Sequence, residues 1–249
     1  MNHNDFYDVL YENSPDIKFY VEMAEKFGHG NVLEVGSGSG RILLEIAKKG
    51  INIDGLEPNK ERFDCCKSKI DKLNDVVKNN VNIFQSFSSD YKTNKKYSLI
   101  IMPFRVIQEA TSVNDQEETL KYIKTLLNPD GVLIFDVLYP SPKLLCEFEN
   151  NKNVELSQKH IQDKGMDFYT SFVVKEIDTM KQTFSAERVY KCNDKEVSYS
   201  WHSRYLTRYE AEYLLKYLNF KIADVWGDFE MTPLDSISHP KNMIFVAKN

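Results

Sequence analysis

The chain has 249 residues, 32 Lys+Arg against 37 Asp+Glu, a formal net charge of -5, and 42% hydrophobic and 28% charged content. This composition excludes collagen-like, disordered and disulfide-scaffold proteins and suits one α/β domain with room for one insertion. The acidic balance gives no global attraction to phosphate backbones and no apolar run approaches spanning length, so neither nucleic acid nor a membrane is an expected partner.

Cys65, Cys66, Cys146 and Cys192 include an adjacent pair but no metal-ligand spacing, which fits reduced thiols and leaves no expected metal. The opening Met1-Asn2-His3-Asn4-Asp5 lacks a basic and apolar leader pattern, so the expected location is cytoplasmic.

An aromatic-rich opening comes first, with Phe6, Tyr7, Tyr11, Phe19 and Tyr20. Its ring faces could fold over a cationic ligand, with Tyr11 and Tyr20 as the lid, or Phe19 and Tyr20 could simply pack a helix on a sheet. Ser14-Pro15-Asp16 reads as an N-cap with proline at the first helical position, followed by apolar residues at helical spacing up to Gly28. A strand at 31–36, a helix near 40–49, a strand at 52–57 and a helix near 60–73 follow. Strands near 81–85 and 97–102, a helix near 115–127 and a strand at 131–138 continue the alternation. Strands separated by helices imply parallel βαβ units with both sheet faces covered.

After Tyr139-Pro140-Ser141-Pro142 the character changes. Residues 153–206 hold segments rich in Val, Tyr, Phe, Thr and Ser, among them Asp167–Val174 and Val197–Trp201, which suggest antiparallel strands. A helix near 207–218 with Thr207 as N-cap and strands near 221–227 and 242–248 return to the main sheet. The expected fold is α/β, a doubly wound Rossmann-like seven-stranded, mostly parallel sheet with a C-terminal antiparallel strand and a small antiparallel β insertion. Residues 1–249 are expected to form a single domain. Within it, 1–140 and 207–249 form the core, and 145–206 form an inserted lid that contacts substrate or makes a dimer.

The densest signal is Val32-Leu33-Glu34-Val35-Gly36-Ser37-Gly38-Ser39-Gly40, followed by Arg41. Glycines where a strand meets a helix let a ligand approach the backbone, and the helix start offers free N–H groups. Glu57, one βαβ step later, would accept from both hydroxyls of a ribose. A dinucleotide turn places its third glycine where this chain has Arg41.

The compact Gly-x-Gly-x-Gly form behind Glu34 resembles that of class I S-adenosylmethionine-dependent methyltransferases. So do Leu56-Glu57-Pro58-Asn59, Tyr97–Met102 and Leu127–Phe135. The chain is also similar to a bacterial small-molecule branch in Leu10-Tyr11, in Pro15–Tyr20 and in Pro103-Phe104-Arg105 with Gln108, and its β-rich insertion resembles that of amino-sugar N-methyltransferases. The resemblance implies S-adenosylmethionine as cofactor and S-adenosylhomocysteine as product. It implies cofactor contacts from Glu34, Gly36, Ser37, Gly38, Gly40, Arg41, Glu57, Pro58, Met102 and Tyr20. Where the family usually has Gly-Asp after the third strand, this chain has Gln85-Ser86-Phe87-Ser88. Phe87 cannot accept from the adenine amino group, so adenine would be held by packing and backbone groups or by Ser86 or Ser88, with Phe87 and Ser88 among the implied cofactor contacts.

Methyl transfer is an in-line displacement, so alignment and exclusion of water matter more than a dedicated base. His202, Asp228 and Tyr11 are the candidates for acting on the acceptor. Arg105 follows the fourth strand and could clamp a carboxylate of cofactor or substrate or order its own loop, with Phe104, Gln108 and Trp201 sharing the pocket wall. His3, His29, His160 and His239 show no partner spacing and are expected at the surface.

The expected activity is methyl transfer to an N or O atom of a small molecule, by a protein that could pair as a homodimer. Two other readings stand beside it. A nucleic-acid base methyltransferase usually carries Asn/Asp-Pro-Pro-Tyr/Phe after strand four, where this chain has Met102-Pro103-Phe104-Arg105. The other is a non-catalytic nucleoside-binding protein of the same fold, or a dinucleotide oxidoreductase.

Overall fold

In the computed structural model, which describes residues 3–163 and 166–249, the inner strands of the main sheet are short apolar runs because both of their faces are covered. Strands β1 (Val32–Val35), β2 (Ile53–Leu56), β3 (Val81–Phe84), β4 (Tyr97–Met102) and β5 (Leu127–Leu138) alternate with helices and pair in parallel. β10 (Lys221–Trp226) and β11 (Asn242–Lys248) complete a seven-stranded sheet of order β10-β11-β5-β4-β1-β2-β3, in which β11 runs antiparallel to both neighbours.

Helices α2 (Pro15–Phe27), α3 (Leu43–Lys48) and α4 (Lys60–Asp71) cover one face through Phe19, Met23, Ile46 and Cys66. Helices α6 (Val113–Leu126) and α8 (Arg208–Tyr217) cover the other through Leu120, Ile123, Ala211 and Leu215. The short α5 (Asp75–Lys78) caps the loop before β3. This is the expected doubly wound sheet with its reversed C-terminal strand.

A second sheet, β6 (Glu155–Asp163), β7 (Met166–Asp178), β8 (Thr183–Cys192) and β9 (Lys195–Arg204), is wholly antiparallel and paired in sequence order. It has small cores of its own. One packs Phe148 of α7 (Pro142–Asn150) against Val174 and Phe184, and the other packs Phe6 and Leu10 of α1 (His3–Tyr11) against Phe168 and Tyr190.

Three of these helices were not anticipated, the four-residue α5 among them. α7 carries the signature that identified α2, because Ser141 caps it by accepting from the Leu144 N–H at 3.2 Å and Pro142 opens its first turn. α1 is nine residues long, too short for its periodicity to stand out. Among the described residues no helix is long and apolar enough to cross a membrane, and no group of three or more His, Cys, Asp or Glu is placed to hold a metal ion.

The second sheet re-enters the main fold at Arg204. This side chain is 4% exposed and donates to Gln116 Oε1 at 2.7 Å, Gln182 Oε1 at 2.7 Å and Glu210 Oε1 at 2.5 Å. Glu210 also closes the capping box of α8 by accepting from the Thr207 N–H. Arg204→Met strands the buried amide oxygen of Gln116, the partly buried one of Gln182 and the partly buried Glu210 carboxylate, so it is expected to lower unfolding stability by about 3 kcal/mol. A urea midpoint equal to that of the native sequence would rule out this linchpin role.

Candidate active site

The order of the main sheet reverses between β1 and β4, which opens a crevice at their carboxyl ends. There a cavity of about 540 Å³ lies between the main sheet and the second sheet. Its floor is the turn after β1. Gly36 has φ +75°, and a Cβ on it would lie 2.4 Å from Val106 Cγ2. Gly38 has φ +57°, but a Cβ on it would meet nothing within 4 Å, because its backbone faces the cavity.

Glu57, 3% exposed, braces the turn. Its Oε2 accepts from the Gly38 N–H at 2.9 Å and its Oε1 from the Asn59 N–H at 2.8 Å. Burial raises its pKa, against the pull of those backbone bonds and of Arg62.

Glu34 and Ser37 also line the floor, and Glu34 Oε2 and Ser37 Oγ are buried without a hydrogen-bond partner among the described residues. Burial drives the Glu34 pKa well above the carboxylate range, despite the nearby Arg41 charge. Two orphaned polar atoms beside an open glycine backbone mark a surface shaped for a polar ligand.

Helix α1 lies over this turn. Asp8 accepts from Ser39 Oγ and Lys69 Nζ, each at 2.5 Å. Arg41 forms a two-pronged pair with Asp16 at 2.8 and 2.7 Å. The same guanidinium sits 6.0, 5.9 and 5.6 Å from the ring centroids of Tyr7, Tyr11 and Phe104.

Asp136, in the carboxyl half of β5, is 3% exposed and lines the cavity. Its Oδ1 accepts from Tyr20 Oη and from the Phe104 N–H, both at 2.7 Å. Burial pushes its pKa up to about 6, although the bond from Tyr20, the Arg105 charge and the Phe104 N–H all pull it down. The Phe104 bond also accounts for the local backbone, in which Phe104 and Arg105 adopt successive positive φ of 57° and 68°. Such strain in non-glycine residues persists where surrounding contacts impose it, typically at functional sites.

Strand alternation in the second sheet supplies the roof. Phe172, Phe184, Arg188, Tyr190, Tyr199, Trp201 and Ser203 face the cavity. Arg62 rises from α4 to 4.7 Å from the Tyr199 ring centroid, close enough to Glu57 and Glu109 for their charges to hold it protonated.

Of the residues singled out in the sequence, Glu34, Gly36, Ser37, Gly38, Arg41, Tyr11, Phe104, Arg105, Gln108 and Trp201 line this cavity together. Gln108 does so with its amide committed, accepting from the Leu138 N–H at 2.8 Å and donating to the Arg204 carbonyl. Other placements correct the expectations. His202 follows Trp201 by one residue, so the pleat turns it outward to an exposed groove with Thr183 and Ser185. Asp228 caps its own turn by accepting from the Glu230 and Thr232 N–H groups at 3.0 Å, and its neighbour Phe229 lines the cavity instead.

Tyr20 is fully buried and braces Asp136 rather than forming a lid, and Met102 is core. Gly40 packs against Cys66 and Leu44. Glu57 holds the turn through the Gly38 N–H, and Glu57, Pro58, the exposed Phe87 and the half-buried Ser88 lie beyond the residues that line the cavity. Tyr7, of the aromatic opening, also lines the cavity, whereas Asp136, Arg62, Arg188 and Asp16 were not foreseen. Asp136 had a signal, a lone carboxylate inside the apolar run Val132–Leu138. Arg188 had none, because it needs the register of β8.

A family described as "Methyltransferase domain" matches residues 3–183. The chain is 23% identical over 135 residues to the putative methyltransferase YqeM of Bacillus subtilis (strain 168), an alignment that spans 53% of this chain and about half, 52%, of that protein. The fold is similar to that of an S-adenosylmethionine-dependent methyltransferase from Clostridium acetobutylicum ATCC 824, with a TM-score of 0.73 at 15% identity over 97% of this chain and 95% of the other. It is also similar to the sugar N-methyltransferase KedS8 from Streptoalloteichus sp ATCC 53650, with a TM-score of 0.71 at 13% identity over 98% and 92%.

Proposed function

Because the chain belongs to the methyltransferase-domain family, we propose that it transfers the methyl group of S-adenosylmethionine to an N or O atom of a small molecule held in the cavity. The observation that carries this reading is one cavity lined both by the glycine turn, with Glu34 and Ser37, and by the aromatic roof. Glu34 Oε2 suits the amino group of the cofactor, and the open face of Gly38 suits close approach by its polar tail. Each Glu57 oxygen accepts one backbone bond and keeps a lone pair for a ribose hydroxyl. Phe87, 63% exposed, offers a ring face to adenine. Bound S-adenosylmethionine supplies an electrophilic methyl group.

The residues of the chain then align the acceptor and receive its proton. Asp136 is the proton acceptor, because burial pushes its pKa up to about 6 and two donors fix its orientation, leaving Oδ2 for a ligand. The roof and α1 exclude water, which strengthens each of these polar contacts. A volume of about 540 Å³ suits a small acceptor rather than a nucleic-acid strand.

Calorimetry with S-adenosylhomocysteine and with NAD(H) tests the reading. S-adenosylhomocysteine is expected to bind and NAD(H) is not. Absence of S-adenosylhomocysteine binding overturns it. Tritiated-methyl transfer to a panel of amines, amino sugars, phenols and carboxylates then identifies the acceptor atom.

A further inference from the structure

Four arginines line the cavity, and two of them are already answered. Arg41 is neutralised by its two-pronged pair with Asp16, and Arg62 faces the carboxylates of Glu57 and Glu109. Arg105 and Arg188 are different. The hydrogen-bond partner of Arg105 is the uncharged side-chain oxygen of Asn242, at 3.1 Å. The Arg188 guanidinium packs 5.5 Å from the ring centroid of Phe172, and among the described residues it makes no hydrogen bond or ion pair.

The remaining cavity carboxylates do not fill this gap. Asp136 offsets the Arg105 charge in part but makes no ion pair with it, its Oδ1 being taken by Tyr20 and Phe104, and Glu147 makes no ion pair with either guanidinium among the described residues. Desolvation lowers the pKa of Arg105, the Asp136 charge offsets part of that effect, and the like charge of Arg188, which lines the same cavity, adds to it. Arg105 is exposed and Arg188 half-buried, so a ligand anion can reach both from the cavity, and it would offset two like charges that line one space.

We propose that the methyl acceptor carries an anionic group, a carboxylate or a phosphate, and that Arg105 of the loop after β4 and Arg188 of β8 recognise it. Guanidinium forks suit both groups because each presents two coplanar oxygens. One arginine comes from the main sheet and the other from the roof, so the anion bridges the two layers and fixes the acceptor between them. Calling the ligand the acceptor rests on the function proposed above; the anion site itself does not.

The test is titration calorimetry with phenyl phosphate, phenylacetate and benzyl alcohol, with and without S-adenosylhomocysteine. At least one of the two anions is expected to bind on the order of tenfold tighter than the alcohol, and the tighter one names the group. Arg188→Met is expected to remove that advantage, and Arg188→Lys to restore part of it. Benzyl alcohol and S-adenosylhomocysteine should bind all three proteins alike, which also reports that the variants fold. Equal binding of the alcohol and both anions, or an anion preference that survives Arg188→Met, overturns the proposal. So does an Arg105→Met protein that loses S-adenosylhomocysteine but keeps the anions, because Arg105 would then serve the cofactor. If S-adenosylhomocysteine binds and the anions do not, this inference fails alone. If the anions bind and S-adenosylhomocysteine does not, the methyltransferase reading fails instead.

Discussion

Gly38→Val is expected to weaken S-adenosylhomocysteine binding by about 100-fold or more while leaving the protein folded. The position separates ligand from fold, because a Cβ there meets no protein atom within 4 Å and projects into the cavity. The structural cost is the positive φ of 57°, on the order of 1–2 kcal/mol for a branched residue, or a fall of a few degrees in Tm. Gly36→Val is the control in the opposite sense. Its Cβ would lie 2.4 Å from Val106, so the fold itself should suffer. Calorimetry together with thermal unfolding distinguishes the two. A Gly38→Val protein that binds S-adenosylhomocysteine as tightly as the native sequence would remove the glycine turn from the site.

Asp136→Asn should lower methyl transfer by about 100-fold or more, leave S-adenosylhomocysteine affinity unchanged and not lower stability. Asparagine keeps an oxygen that accepts from Tyr20 and the Phe104 N–H, so the geometry survives and the charge is lost. In the native protein, kcat/KM should fall as pH drops through about 6, where Asp136 takes up a proton, and the variant should lack that limb.

The stability sign is the reverse of the usual carboxylate case. The folded pKa of about 6 lies above the reference value of 3.8, so the fold disfavours the ionised form. The penalty is absent below pH 3.8, grows as pH rises through the interval to 6 and is full above it. At pH 8 the substitution removes a penalty on the order of 2–3 kcal/mol, and Tm should rise by several degrees. A variant that is less stable at pH 8, or as active as the native enzyme, refutes the assignment of Asp136. A residue that destabilises its own fold in this way is typical of groups retained for chemistry.

Most of the main sheet was legible because each element carried a local cue. Ser14-Pro15 marked α2, the glycines marked the end of β1, and short apolar runs marked the parallel strands. The floor of the site was legible for the same reason, since Glu34, Gly36, Ser37, Gly38 and Arg41 are contiguous in sequence. The roof was not. Whether Trp201 or His202 faces inward depends on the pairing of Ala186 with Trp201 and Ser185 with His202, a register set by the whole antiparallel sheet. Arg188 and Asp136 meet the cavity from strands of different sheets, and neither has a neighbour in sequence that announces the other. Glu57 shows the opposite failure. Its position was foreseen, but its grip on the Gly38 N–H depends on a turn geometry that no spacing reveals.

Helix α1 belongs to both walls of the cavity. Phe6 and Leu10 pack against the roof at Phe168 and Tyr190, and Asp8 holds the floor through Ser39 and Lys69. A ligand on the floor and one beneath the roof would therefore meet the same nine residues. If either stiffens the helix, linkage requires the two to tighten each other by an equal factor.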